Sequence, residues 1–101
     1  MTIAPGVVLP ENELADFCRR YDVKELSLFG SAARGEMRPD SDIDMLVEFL
    51  PDAGTTLLRH FAAERELSRL LGRKVDLVSK RALRSRIRDE VLSQARLIYA
   101  A

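Results

Sequence analysis

Apolar residues along this chain switch between helical spacing and strict alternation, and the switches divide it into elements. Leu14, Phe17 and Cys18 form a helical stripe within Pro10 to Tyr21. Glu11, Glu13 and Asp16 early in that segment, with Arg19 and Arg20 at its end, complement a helix dipole. Glu25 to Phe29 reads as a strand. Gly30 to Arg34 turns into a short helix that Gly35 ends, and Pro39-Asp40 makes Glu36 to Ser41 a loop. Asp42 to Phe49 is a second strand, and its alternation places Ile43, Met45, Val47 and Phe49 toward a core. Pro51, Asp52 and Gly54 make Leu50 to Thr56 a loop. Thr56 to Leu71 predicts a helix with an apolar stripe of Leu57, Phe61, Leu67 and Leu71, stopped by Gly72. Lys74 to Ser79 is a third strand. Lys80 to Ala95 predicts a last helix, with Leu83, Ile87 and Val91 one turn apart. Arg96 to Ala101 is a short strand or a frayed end. Thr2 to Leu9, without a period and containing Pro5-Gly6, is an arm or a lead-in strand.

Strands alternating with helices predict an α/β (α+β) fold, a small mixed β-sheet with helices packed against it. The 101 residues suffice for one domain, residues 1–101, with 1–9 as a flexible arm. A hydrophobic content of 47% excludes a disordered chain. Lys+Arg and Asp+Glu both number 16, and this neutrality argues against stable nucleic-acid binding, which depends on neutralising phosphates. A small polar ligand or a protein partner fits better, with homo- and hetero-oligomers both left open. Cys18 is the sole cysteine, so internal disulfides and cysteine-based zinc sites are excluded. It reads as an inert core residue. The N-terminus lacks the basic and apolar regions of a signal peptide, and no run reaches transmembrane length. A cytoplasmic protein without a membrane role is the expectation.

The chemistry concentrates between Leu26 and Phe49. Gly30-Ser31 is followed, ten residues later, by Asp42-Ile43-Asp44. Asp42 and Asp44 share one strand face, and two carboxylates so placed repel unless a proton or a cation intervenes. Mg²⁺ is the usual cation, since it takes oxygen ligands and leaves positions open for phosphate. A Gly-Ser turn offers N–H groups and a hydroxyl to phosphate oxygens. Together these features point to metal-dependent phosphoryl or nucleotidyl transfer. Asp76, alone in an apolar strand, is either an edge residue facing water or a third carboxylate able to deprotonate an attacking hydroxyl.

Leu28-Phe29-Gly30-Ser31-Ala32-Ala33-Arg34-Gly35-Glu36, with Ser41-Asp42-Ile43-Asp44-Met45-Leu46-Val47, resembles the signature of minimal nucleotidyltransferases of the DNA polymerase β-like superfamily. Leu70-Leu71-Gly72-Arg73-Lys74-Val75-Asp76-Leu77-Val78 is similar to that family's third-carboxylate strand. The resemblance extends from Val23 to Tyr99. It implies that Gly30 and Ser31 contact the β and γ phosphates of ATP, with Arg34 assisting. Asp42 and Asp44 would bind two Mg²⁺ ions, and Asp76 would ligate metal or activate the acceptor. It further implies an antitoxin that transfers AMP to a tyrosine of a HEPN-domain ribonuclease toxin.

Duller roles compete at several positions. Gly30-Ser31 could be a mere turn, Asp42 a cap and Arg34 a solvated residue. The basic run Lys80, Arg81, Arg84, Arg86 and Arg88 reads first as a solvated helix face, and otherwise as a clamp for triphosphate or a contact for an acidic partner. His60 reads as structural or exposed. Glu64 falls near an apolar stripe, which means either a buried polar contact or a shorter helix. Two other functions stay open: a non-catalytic antitoxin that neutralises by steric binding, and transfer to a small molecule such as an aminoglycoside.

Overall fold

The structure is a computed structural model and describes residues 2–4 and 6–101. Pro5, part of the predicted lead-in, lies outside the described residues, as does Met1. Thr2–Ala4 (β1) and Val7–Val8 (β2) form a small antiparallel pair. Ile3, Val7 and Leu9 are buried in the main core, so this segment is docked on the core rather than loose.

A four-stranded sheet carries the rest. Its strands are Val23–Leu28 (β3), Ile43–Phe49 (β4), Val75–Ser79 (β5) and Arg96–Ala100 (β6), in the order β5-β4-β3-β6. β3 pairs antiparallel with β4 and β6, whereas β4 and β5 run parallel, so the sheet is mixed as expected. The parallel pair requires a crossover, and Leu57–Leu71 (α3) supplies it. Thr56 caps that helix by accepting from the Arg59 N–H, and Gly72 ends it in the left-handed conformation.

Alternation along the strands builds one core face. Leu26 and Leu28 of β3, Ile43, Met45 and Val47 of β4, and Val75 and Leu77 of β5 are buried there. Glu11–Arg20 (α1) adds Leu14, Phe17 and Cys18, and α3 adds Ala63 and Leu67. Burial pushes the Cys18 thiol up to about 12, which keeps it protonated and inert. Phe49 packs only at the margin of this core.

Two helical expectations need correction. The apolar stripe proposed for α3 is half right: Leu67 is buried and Leu71 packs against the core, but Leu57 is 70% exposed and Phe61 44% exposed. The face that meets the sheet contains His60, Ala63, Glu64, Leu67 and Ser68. β5 is an edge strand, and its outward backbone groups need partners where α3 covers them. His60 Nε2 donates to Leu77 O (2.8 Å), Glu64 Oε2 accepts from Leu77 N (2.7 Å), and Ser68 Oγ accepts from Val75 N (3.0 Å). Spaced one turn apart, the three residues form a polar seam against the strand edge. This resolves Glu64 as a polar contact inside a full-length helix.

The single helix expected over Lys80 to Ala95 is divided. Lys80–Ala82 forms a 3₁₀ turn, Leu83 and Arg84 are extended, and Ser85–Gln94 (α4) follows. Periodicity at Leu83, Ile87 and Val91 suggested a buried stripe, but α4 has no buried residue and Ile87 is 47% exposed. Arg96–Ala100 is a true strand, pairing with β3.

Candidate active site

Gly30–Arg34 (α2) begins directly after β3, with Phe29 extended as its cap. The Phe29 N–H donates to Asp44 O (3.0 Å), which ties the start of α2 to β4. Gly30 has a φ of +63°, and a Cβ placed on it would lie 2.5 Å from Asp44 Oδ2. The glycine thus serves twice, permitting a left-handed backbone and leaving room for the carboxylate. The Ser31 hydroxyl makes no hydrogen bond among the described residues and remains available at the start of the turn.

Asp44 and Asp76 are direct partners in the parallel register of β4 and β5, so both project from the same face. That face is opposite the one carrying Met45 and Leu77, as alternation demands. Asp76 thus stands beside Asp44, and it does so on an edge strand with its side chain 45% exposed. Asp42 precedes β4 by one residue and is held from both sides. Arg73 donates from its guanidinium to the carbonyls of Ser41 and of Arg38, the latter at 2.9 Å, and the Ile43 N–H donates to Lys74 O (2.9 Å).

The Asp44 carboxyl is raised above the ordinary carboxylate value, first by loss of surrounding water and then by the negative charges of Asp76 and Asp42; the Arg34 guanidinium opposes this. Arg34 itself is exposed and donates to Glu36 Oε2 (3.1 Å). Lys74 Nζ lies 3.6 Å from Asp42 Oδ2 and 4.0 Å from Asp76 Oδ1, a cation shared between two of the three acids. Among the described residues no group of three His, Cys, Asp or Glu is already gathered closely enough to hold a metal ion. The donor set still suits a hard divalent cation, because it consists of carboxylate oxygens that repel one another and have drawn a positive side chain.

Sequence reasoning missed Arg73, Lys74 and the seam that His60 and Ser68 form with Glu64, of which only Glu64 was read as a candidate polar contact. Arg73 and Lys74 directly precede Val75-Asp76, and two basic residues ahead of a lone strand aspartate were the available signal. The predicted residues do not line the cavity between the ends of β4 and β5 and the start of α3. A space of about 560 Å³ opens where β4 and β5 end, lined by Phe49, Leu50, His60, Phe61 and Ser79 among others. Asp44 and Asp76 lie near the opposite ends of those strands, on an open surface.

Comparison with known proteins gives this arrangement a family. The model of the nucleotidyltransferase domain matches residues 11–98. The protein adenylyltransferase MntA of Thermococcus cleftensis is 44% identical over 75 residues, covering 74% of each chain. A solved structure described as a minimal nucleotidyltransferase is 42% identical, with a TM-score of 0.72 over 88% of this chain and 87% of that one. A crystal structure of a toxin–antitoxin pair with AMP-PNP shares the fold, with a TM-score of 0.74 at 24% identity, over 92% of this chain and 75% of the other. On the match over residues 11–98 and these relatives, the chain belongs to the nucleotidyltransferase domain family as a minimal nucleotidyltransferase.

Proposed function

We propose that this protein is an antitoxin that transfers AMP from ATP to a tyrosine hydroxyl of a partner HEPN-domain ribonuclease toxin. The observation that carries the reading is the convergence of Asp44, Asp76 and the Gly30-Ser31 turn at one end of the sheet's strands, with Asp42 alongside. The relatives supply the nucleotide and the partner: one is a protein adenylyltransferase, and one neighbour is a toxin–antitoxin pair with AMP-PNP.

In this reading Gly30 and Ser31 hold the β and γ phosphates, and Arg34 swings from Glu36 to assist. Asp42 and Asp44, with Asp76, hold Mg²⁺, which when bound neutralises phosphate charge and polarises the α-phosphate. Asp76 takes the proton from the acceptor hydroxyl. The acceptor oxygen forms a bond to the α-phosphorus as the bond from that phosphorus to the β-bridging oxygen breaks, and pyrophosphate leaves. The open site suits a protein acceptor, which brings its own surface to complete the cleft.

The test is intact-mass analysis of a HEPN-domain protein from the same locus after incubation with this protein, ATP and Mg²⁺. Addition of adenylyl groups that map to tyrosine is expected; addition to another residue type, or to neither protein, would reject the acceptor. A steric, non-catalytic antitoxin is the second reading. The bridging of Asp42 and Asp76 by Lys74 favours it, since a lysine already satisfies part of the acidic site.

A further inference from the structure

The C-terminal segment presents a surface that the proposed chemistry does not use. Helices in folded chains gain most of their stability by packing an apolar face, yet α4 buries no residue fully. Its closest neighbour is α2, the short helix that starts at Gly30 and Ser31. Ile87 on α4 is 47% exposed, and Leu97, just beyond it on β6, is 55% exposed. Arg84, Arg86 and Arg88 lie at the start of α4 or within it and Arg96 opens β6, all exposed and without an ion pair among the described residues. Arg20, Lys24, Arg34, Lys74 and Lys80, by contrast, are all paired with carboxylates. Only Asp89 and Glu90 offset the four arginines, so a local positive excess exists within a chain of zero net charge.

A solvated helix face would account for the arginines alone, and so would a triphosphate clamp; neither uses the apolar Ile87 and Leu97 beside them. Arginine interleaved with apolar side chains is instead characteristic of protein interfaces, and the excess charge selects an acidic partner. We infer that α4 and the adjoining start of β6 are the surface on which the acceptor protein docks, through a face that is acidic around an apolar centre. Because α4 borders α2, a protein seated there stands next to the phosphate turn, where its hydroxyl must arrive. The identity of the occupant as the acceptor rests on the proposed function.

The test compares wild type with Arg84→Glu/Arg86→Glu/Arg88→Glu, and with the milder Arg86→Ala/Arg88→Ala, after circular dichroism has established equal helicity. Affinity for the co-encoded HEPN-domain protein is measured by titration calorimetry, and affinity for Mg²⁺ and a fluorescent ATP analogue separately. The expected result is partner binding weakened by at least about tenfold in the reversal variant, a smaller loss in the alanine variant, and nucleotide affinity held within about twofold. Wild-type binding should also weaken as salt rises. Unchanged partner affinity in the reversal variant, or no binding by wild type, overturns the inference. So does loss of nucleotide affinity with partner binding kept, which would assign the arginines to the triphosphate. Binding that depends on α4 without any nucleotide transfer would uphold the docking surface and reject the catalytic reading.

Discussion

Gly30 and Asp44 share space that admits only one side chain: a Cβ on the glycine would sit 2.5 Å from Asp44 Oδ2. The turn proposed to hold phosphate and the carboxylate proposed to hold metal are therefore in direct contact range of each other. Gly30→Ala must either displace Asp44 or shift the turn, and it also forces a side chain into a left-handed backbone at a cost of about 1–2 kcal/mol. Transfer activity should fall by about 100-fold or more, as expected when reacting groups move by an ångström. Steady-state kinetics of a variant shown to be folded checks this; activity within a few-fold of wild type would mean the turn does not position Asp44.

Asp44 also makes the metal-free fold pH-sensitive. Its folded pKa is raised above the ordinary 3.8, so the folded chain binds its proton more tightly than the unfolded chain does. Stability is lost as pH rises from 3.8 through the raised value, and the penalty is complete above it. Asp44→Asn removes the penalty. In chelator the variant should melt at a higher temperature than wild type at neutral pH, with the gain shrinking as pH falls toward 3.8. A variant that melts lower at neutral pH would show that the ionised carboxylate is stabilising.

Lys74 occupies the position of a cation between Asp42 and Asp76. It is exposed, and exposed ion pairs contribute about 0.2–1 kcal/mol, so its removal should tighten Mg²⁺ binding by a factor of about 1.4 to 5. Lys74→Met with Mg²⁺ monitored by calorimetry tests this. Weaker binding in the variant would mean that Lys74 assists the ion rather than competing with it.

Glu64 accepts from the Leu77 N–H next to Asp76. Glu64→Leu leaves that donor without a partner at a cost of about 1–3 kcal/mol, whereas Glu64→Gln keeps an accepting oxygen and most of the stability. Urea unfolding of the two variants separates them; equal losses would show that the carboxylate charge, and not the hydrogen bond, matters.

The site was more legible in the sequence than the packing around it. Asp44 and Asp76 were visible because each interrupts an apolar strand, where alternation dictates the face an aspartate occupies, and Asp42 through its spacing to Asp44, although it precedes β4 by one residue. The α3 seam was legible only in part: the period left His60 structural or exposed and Glu64 either a buried polar contact or the sign of a shorter helix, and only the strand order reveals that β5 is an edge whose backbone needs them and Ser68. The same blindness affected α4. The spacing of Leu83, Ile87 and Val91 records an amphipathic helix, but not whether this chain offers anything for its apolar side to pack against. The docking inference turns that mismatch into a statement about a partner.

The central claim is nucleotidyl transfer directed by Asp42, Asp44 and Asp76. It is tested most directly by incubating this protein, Mg²⁺ and the co-encoded HEPN-domain protein with ATP radiolabelled on either the α or the γ phosphorus. An Asp42→Asn/Asp44→Asn variant, with folding verified, is run beside it. The account predicts label on the partner from the α position only, lost in the variant. Label from the γ position, or labelling that survives in the variant, would contradict it.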